Sequence, residues 1–363
     1  MNRRALLQSG LAMTLGVPLW AAVRQERFDD AALVLASAVE RGEVAAAVLH
    51  VAQRKATFTR TFGKAKSDDA MFLLGSISKP IAVTALMTLY DQGEFKLDDT
   101  AQHFLPTFTG RCREKVTIRQ LLTHVSGLPD QLAENNALRK KHAPLSEFVE
   151  HALRTPLAFV PGTRFQYSSM AILLAAHIAE KISGTDILTL VERSVLAPLK
   201  MQQSAQGLGR FKQEEMIAVQ TEHAAPESGG GDPTAKEWDW NSEYWRKLGA
   251  PWGGTHASAP DIGKFLAEFL YAQGRAVKPD TARQMITNQN SPGITPRGLG
   301  FNIGAAAGSR GCSEQTFGHT GSTGTVCWAD AATETICVVL TSLPGRAVQP
   351  HPRDVAAEKV ANV

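Results

Sequence analysis

Phe72-Leu73-Leu74-Gly75-Ser76-Ile77-Ser78-Lys79 leads into a very apolar run in which eight of the ten residues Ile81 to Tyr90 are apolar or aromatic. That run predicts a helix from Ser76 to about Gln92, wrapped by protein on most sides and closed by Gly93. Ser76 enters it from a loop, and Lys79, three residues on, shares its face. A serine hydroxyl is a weak nucleophile until a neighbour takes its proton. A lysine packed in apolar surroundings can do so, and a helix N-terminus favours negative charge developing beside it. The same four residues also fit an ordinary serine cap followed by a solvated lysine.

Working outward, Phe28 to Arg41 reads as an amphipathic helix, and Val44 to Ala52 and Ala56 to Phe62 as strands. Strand patterns return at Gly298 to Ile303, Gly321 to Ala329 and Thr335 to Ser342, with a closing helix from His351. Between them lie helices with cap signals at Thr117, Ser146, Ser169, Thr185 and Ser258, and a Gly- and Pro-rich loop from Ala224 to Thr234. The expected class is α+β: an antiparallel sheet built from both chain ends and flanked by helices, with a mostly helical insertion. The expected bounds are 23–96 with 249–363 for the sheet domain and 97–248 for the insertion.

Composition narrows the function. The 363 residues are 44% hydrophobic and 20% charged, which excludes a disordered or multi-span membrane chain. The net charge of +3 calls for no nucleic acid or anionic surface. The four cysteines lack C-x-x-C spacing and the histidines, His124 and His256 included, lack ligand spacing, so no metal or cofactor is expected. Cys327 and Cys337 are equidistant from Ala332 and either pair across a hairpin or are two small buried thiols. Met1 to Ala22 reads as an export segment. Arg3-Arg4 precede an apolar run too short and broken to span a bilayer, and the start resembles a twin-arginine signal. The expected location is periplasmic or secreted, with no stable membrane span once that segment is removed.

Two further segments carry chemistry: Arg164-Phe165-Gln166-Tyr167-Ser168-Ser169, before an apolar helix, and Gly318-His319-Thr320-Gly321-Ser322-Thr323-Gly324-Thr325, opening a strand. In this order, S-x-x-K, Y-x-N-like and H-T-G, the three segments resemble the serine β-lactamase and penicillin-binding protein superfamily. Leu121-Leu122-Thr123-His124-Val125-Ser126-Gly127-Leu128, Trp252-Gly253-Gly254 and Gly298-Leu299-Gly300-Phe301 resemble its other landmarks. The branch is that of class C β-lactamases, D-alanyl-D-alanine carboxypeptidases and β-lactamase-like esterases.

The resemblance implies roles. Ser76 is the acylated nucleophile, Lys79 takes or relays its proton, and Tyr167 protonates the leaving group. His319 faces Ser76 from an edge strand, the N–H groups of Ser76 and Ser322 form the oxyanion hole, and Ser169, Thr320, Gly321 and Trp252 bind substrate. It implies an acyl-enzyme serine hydrolase on a small ester or amide or a peptidoglycan-like substrate, with esterase or D-amino-acid peptidase activity first. A penicillin-binding sensor with little turnover, or a β-lactamase, is the alternative. Two residues depart from the pattern. Ser169 stands where many relatives have Asn, offering one hydroxyl for an amide. His319 stands where many have Lys, so grip on a substrate carboxylate is expected to weaken or to follow a titration near neutrality. Trp238, Trp240, Tyr244, Trp245 and Trp252 form either an aromatic wall of the cleft or packing between the two parts.

Overall fold

The computed structural model describes residues 12–361. Among them the strands are β1 (Ala46–Gln53), β2 (Ala56–Gly63), β3 (Phe72–Leu73), β4 (Ser204–Gln206), β5 (Thr255–Ala257), β6 (Asn302–Ile303), β7 (Thr316–Gly321), β8 (Thr325–Asp330) and β9 (Thr335–Thr341). Six form one antiparallel sheet in the order β2-β1-β9-β8-β7-β6, and three form a small one in the order β3-β5-β4. The main helices are α1 (Ala12–Glu40), α2 (Ser78–Asp91), α3 (Ile118–Leu122), α4 (Ser169–Ser183), α5 (Ala259–Leu270) and α6 (Pro352–Ala361). The protein is thus a mixed helix and antiparallel-sheet fold, with the large sheet drawn from both ends of the described chain.

Both faces of that sheet are covered, which is why its central strands read as near-continuous apolar runs. Side chains alternate along a strand. Ala47, Leu49, Val51, Cys337 and Val339 therefore pack under α1 and α6, against Leu35 and Val360. Val48, Ile336, Val338 and Leu340 face the other way, towards Ile262, Phe265 and Phe269 of α5. The two cysteines land on opposite faces because Cys337 pairs with Trp328, one residue off Cys327. Both are buried free thiols.

Several expectations shift for local reasons. The Ser76 helix begins as a tight 3₁₀ turn over Gly75–Ile77 before α2 proper. Gly298 to Phe301 is a turn and only Asn302–Ile303 is strand: a Cβ on Gly298 would lie 2.2 Å from the Met285 carbonyl oxygen and one on Gly300 3.1 Å from Val83, so the chain bends there between the helix Pro279–Met285 and α2. The expected strand Gly321 to Ala329 divides: β7 runs from Thr316 and ends at Gly321, the chain turns over 322–324, and β8 begins at Thr325. Thr117 does cap α3, in a capping box with Gln120, but the helix stops at Leu122 because His124 adopts φ +61°. Ser168 rather than Ser169 caps α4, and Asp186 rather than Thr185 caps Ile187–Val191. Leu145–Arg154 starts from Pro144 instead of Ser146. The Ala224–Thr234 loop is tied down, with Glu227 carbonyl accepting from Asn135 and Arg139. At the N-terminus α1 already runs from Ala12, and the Arg3-Arg4 start lies outside the described residues.

Candidate active site

Ser76 is half-buried at the mouth of a cleft of about 450 Å³, within the usual range for small-molecule sites. Lys79 is 0% exposed, which removes the reading of a solvated lysine. Its ammonium donates to Ser76 Oγ at 2.9 Å and to the Trp252 carbonyl at 2.9 Å. No carboxylate pairs with it among the described residues. The 3₁₀ turn supplies the spacing: serine and lysine three residues apart project onto one side of a tight turn.

Tyr167 arrives from the segment before α4 and lies against the same ammonium, with Lys79 Nζ 4.8 Å from its ring centre. The Arg297 guanidinium carbon is 5.7 Å from that centre, so two cations flank one phenol. His319 on β7 is 2% exposed, its ring 6.1 Å from that of Tyr167. Its Nδ1–H donates to the Thr320 carbonyl at 2.7 Å, and its Nε2 accepts from Arg297 Nη2 at 3.0 Å. Burial first, then the charges of Arg297 and Lys79, hold His319 well below the ordinary histidine range. It is a neutral acceptor at physiological pH, so the expectation that His319 titrates near neutrality is corrected.

Close approach of β7 depends on two glycines. Gly75 has φ +57°, and a Cβ on it would lie 3.0 Å from Thr323 Oγ1 and 3.1 Å from the Ser322 nitrogen. A Cβ on Gly321 would lie 2.0 Å from the Leu74 carbonyl oxygen. Their bare backbones bring the Ser322 N–H alongside the Ser76 turn, where an oxyanion hole needs donors. Thr323 and Thr325 hydroxyls clasp the carbonyls of Leu73 and Leu74 at 2.6 and 2.7 Å. β6 pairs with β7 only at Phe317 and Gly318, so the outer edge is open from His319 to Gly321.

The profile of the family described as Beta-lactamase matches residues 31–361. The chain belongs to the Beta-lactamase family. It is 31% identical over 157 residues to "Esterase EstB" of Burkholderia gladioli, a match spanning 39% of this chain and 40% of that one. It is 24% identical over 374 residues to a "Putative D-alanyl-D-alanine carboxypeptidase" of Escherichia coli K12, covering 92% and 86% of the two chains. Among solved structures, a "Novel Penicillin-Binding Protein (PBP) Homolog" from Caulobacter crescentus superposes with a TM-score of 0.75 at 19% identity, over 92% of this chain and 96% of that one. At that identity the likeness is one of fold.

Against the pattern of this Beta-lactamase family member, the structure gathers Ser76, Tyr167, Ser169, Trp252, His319, Thr320, Gly321 and Ser322 around one cleft, with Lys79 beneath. Ser169 is not free to act like an amide: its N–H and its hydroxyl both donate to Asp130 Oδ1, at 2.9 and 2.5 Å. The position of the family's Asn is therefore filled by a serine–carboxylate pair that presents acceptors. Trp240, Trp245 and Trp252 are both buried packing and cleft wall. Trp238 and Tyr244 instead pack on Arg139 and His142.

Sequence reading missed three residues. Asp130 and His124 flank the Leu121–Leu128 stretch or lie in it, and Arg297 immediately precedes Gly298-Leu299-Gly300-Phe301. His124 is fully buried, its ring 4.6 Å from Tyr167, with Nδ1 3.2 Å from the Ser168 amide and Nε2 3.2 Å from Arg297. A neutral imidazole has one acceptor nitrogen, so only one of those two donors is satisfied at a time. Burial, then Arg297 and Lys79, keep His124 far below its usual range, hence neutral. No local spacing announced these residues; the only available signal was their adjacency to the landmark turns.

Proposed function

We propose that the protein is an exported serine hydrolase that forms an acyl-enzyme at Ser76 on small esters or amides, as an esterase or D-amino-acid peptidase. The observation that carries this reading is the 2.9 Å hydrogen bond from an enclosed, carboxylate-free Lys79 to Ser76 Oγ, inside a cleft that Tyr167 also lines. Ser76 Oγ attacks the carbonyl carbon and its proton passes to the Lys79–Tyr167 pair. The Ser76 and Ser322 N–H groups hold the oxyanion. As the ester or amide bond breaks, that proton goes to the leaving alcohol or amine. Water then attacks the acyl carbon as the same pair takes its proton; the bond to Ser76 Oγ breaks, that proton returns to Oγ, and the acid leaves. The matched esterase and carboxypeptidase relatives support this reaction class. Periplasmic or secreted placement rests on the N-terminal segment; among the described residues no helix is long and apolar enough to cross a membrane.

The test uses the purified chain with a fluorophosphonate probe and a panel of p-nitrophenyl esters, nitrocefin and D-Ala-D-Ala peptides. Sustained product and labelling that disappears in Ser76→Ala are expected. Labelling that persists in Ser76→Ala overturns the nucleophile. A burst of labelling without steady product would identify a penicillin-binding sensor instead.

A further inference from the structure

The direction of the Ser322 N–H is set from the far side of its own peptide group. The Gly321 carbonyl and the Ser322 N–H belong to one planar unit and point opposite ways. That carbonyl accepts from Gly324 N at 3.1 Å, closing a tight turn between β7 and β8, and from Arg353 Nη1 at 2.5 Å. The same Nη1 donates to the Thr325 carbonyl at 3.0 Å, so one guanidinium nitrogen ties both ends of the turn. The Ser322 carbonyl accepts from Gly345 N at 2.9 Å. Gly345 also makes room for the cation: a Cβ there would lie 2.7 Å from each of the two Arg353 Nη atoms.

Arg353 reaches this turn from the closing helix α6, 32 positions along the chain from Gly321. It is 8% exposed and is the second residue of α6, where a cation opposes the positive end of the helix dipole. Its Nε donates to Asp354 at 3.1 Å, and that half-exposed neighbour offsets part of the cost. Neither burial nor the helix end favours an arginine here; the two turn carbonyls do. A charge-assisted hydrogen bond to a carbonyl polarises the peptide group, and a polarised peptide is the stronger N–H donor. Turning that plane would break the bonds from Arg353 and from Gly324 together.

Resting on the hydrolase reading above, we propose that Arg353 is a positioning residue for the oxyanion hole: through the Gly321 carbonyl it holds the Ser322 N–H towards the Ser76 turn and strengthens it as a donor. It therefore acts on the charge that develops in the reaction and leaves substrate affinity alone.

An uncharged alkyl fluorophosphonate tests this on the full chain. Ser76 Oγ attacks phosphorus, its proton passes to the Lys79–Tyr167 pair, fluoride leaves, and the phosphoryl oxygen takes the place of the oxyanion. Saturation kinetics separate the limiting labelling rate from the half-saturating concentration. Removing an oxyanion-hole donor outright costs about 10²- to 10³-fold, and a donor that stays but loses its hold should cost less. Arg353→Met should slow the limiting rate about 10- to 100-fold and leave the half-saturating concentration within about threefold of wild type. Arg353→Lys keeps a cationic donor and should recover part of the rate. Gly345→Ala crowds the guanidinium away and should slow the same rate, yet add no more than about twofold in the Arg353→Met background.

A limiting rate in Arg353→Met within about threefold of wild type overturns the proposal. So does a loss confined to the half-saturating concentration, which would put the guanidinium on the substrate. Losses in Gly345→Ala and Arg353→Met that multiply in the double variant overturn it as well. Should Arg353→Met fail to fold, Gly345→Ala decides, and a wild-type limiting rate there is the refuting result. Labelling absent from the wild type, or persisting in Ser76→Ala, defeats the hydrolase reading and this proposal with it; Ser76-dependent labelling indifferent to Arg353 defeats this proposal alone.

Discussion

Replacing Lys79 by Met keeps the side-chain stem and removes the charge. The ammonium is fully enclosed, donates to Ser76 Oγ and the Trp252 carbonyl at 2.9 Å each, and meets no carboxylate among the described residues. Enclosing such a charge costs several kcal/mol even after relaxation, and two hydrogen bonds to it return about 1.5–3 kcal/mol each. The substitution recovers the first term, gives up the second, and strands one buried carbonyl at about 1–3 kcal/mol. These terms nearly cancel, so folding stability should change by no more than about 2 kcal/mol, in either direction. Acylation should nevertheless fall about 10²- to 10⁴-fold, because the Lys79–Tyr167 pair that takes the Ser76 proton loses its cation. Urea denaturation gives the first quantity and the rate of fluorophosphonate labelling the second. A stability loss well beyond 2 kcal/mol would make Lys79 a structural strut. Acylation within tenfold of wild type would remove it from the chemistry.

Two further outcomes follow from packing and charge. Gly321→Ala should drive β7 away from the nucleophile, since its Cβ would meet the Leu74 carbonyl oxygen at 2.0 Å. We expect a destabilisation of about 1–3 kcal/mol together with a large loss of acylation, and a crystal structure with the Ser322 nitrogen unmoved would contradict this. Burial lowers His50 to about 4 and His256 to about 3. His124 and His319 are held down the same way. Unfolded histidines bind protons below about 6.5 while these native ones do not, so stability is intact above that pH and is lost on acidification. At pH 5 His50 and His256 should each withdraw about 2 kcal/mol, 1.5 pH units at about 1.36 kcal/mol per unit. Denaturation midpoints that hold steady from pH 7 to 5 would refute the sign, and an NMR titration of His319 near neutrality would refute its neutral state.

Legibility tracked distance along the chain. The Ser76–Lys79 pair was readable because three residues on a helical turn place two side chains together whatever surrounds them. The β1–β2 hairpin, α5 with its Ser258 cap and the strand Thr335–Thr341 followed from apolar pattern and capping chemistry. The extent of β7 was harder, because Gly318, His319 and Thr320 break the apolar pattern and the turn after Gly321 divides what reads as one strand to Ala329. The turn at Gly298–Phe301 read as strand because alternation cannot register a backbone excluded by Met285.

What the chain's letters determine alone is the order of three motifs, the helix that carries the nucleophile and the apolar faces of the sheet, since each depends on backbone geometry within a few residues. The tertiary structure decides which cations the phenol meets, which nitrogen of His319 is occupied, and that Ser169 answers to Asp130. Those contacts join residues as far apart as 130 positions, Arg297 to Tyr167. Their pairing is set by how helices and sheet close on one another, a long-range packing choice that no local periodicity records.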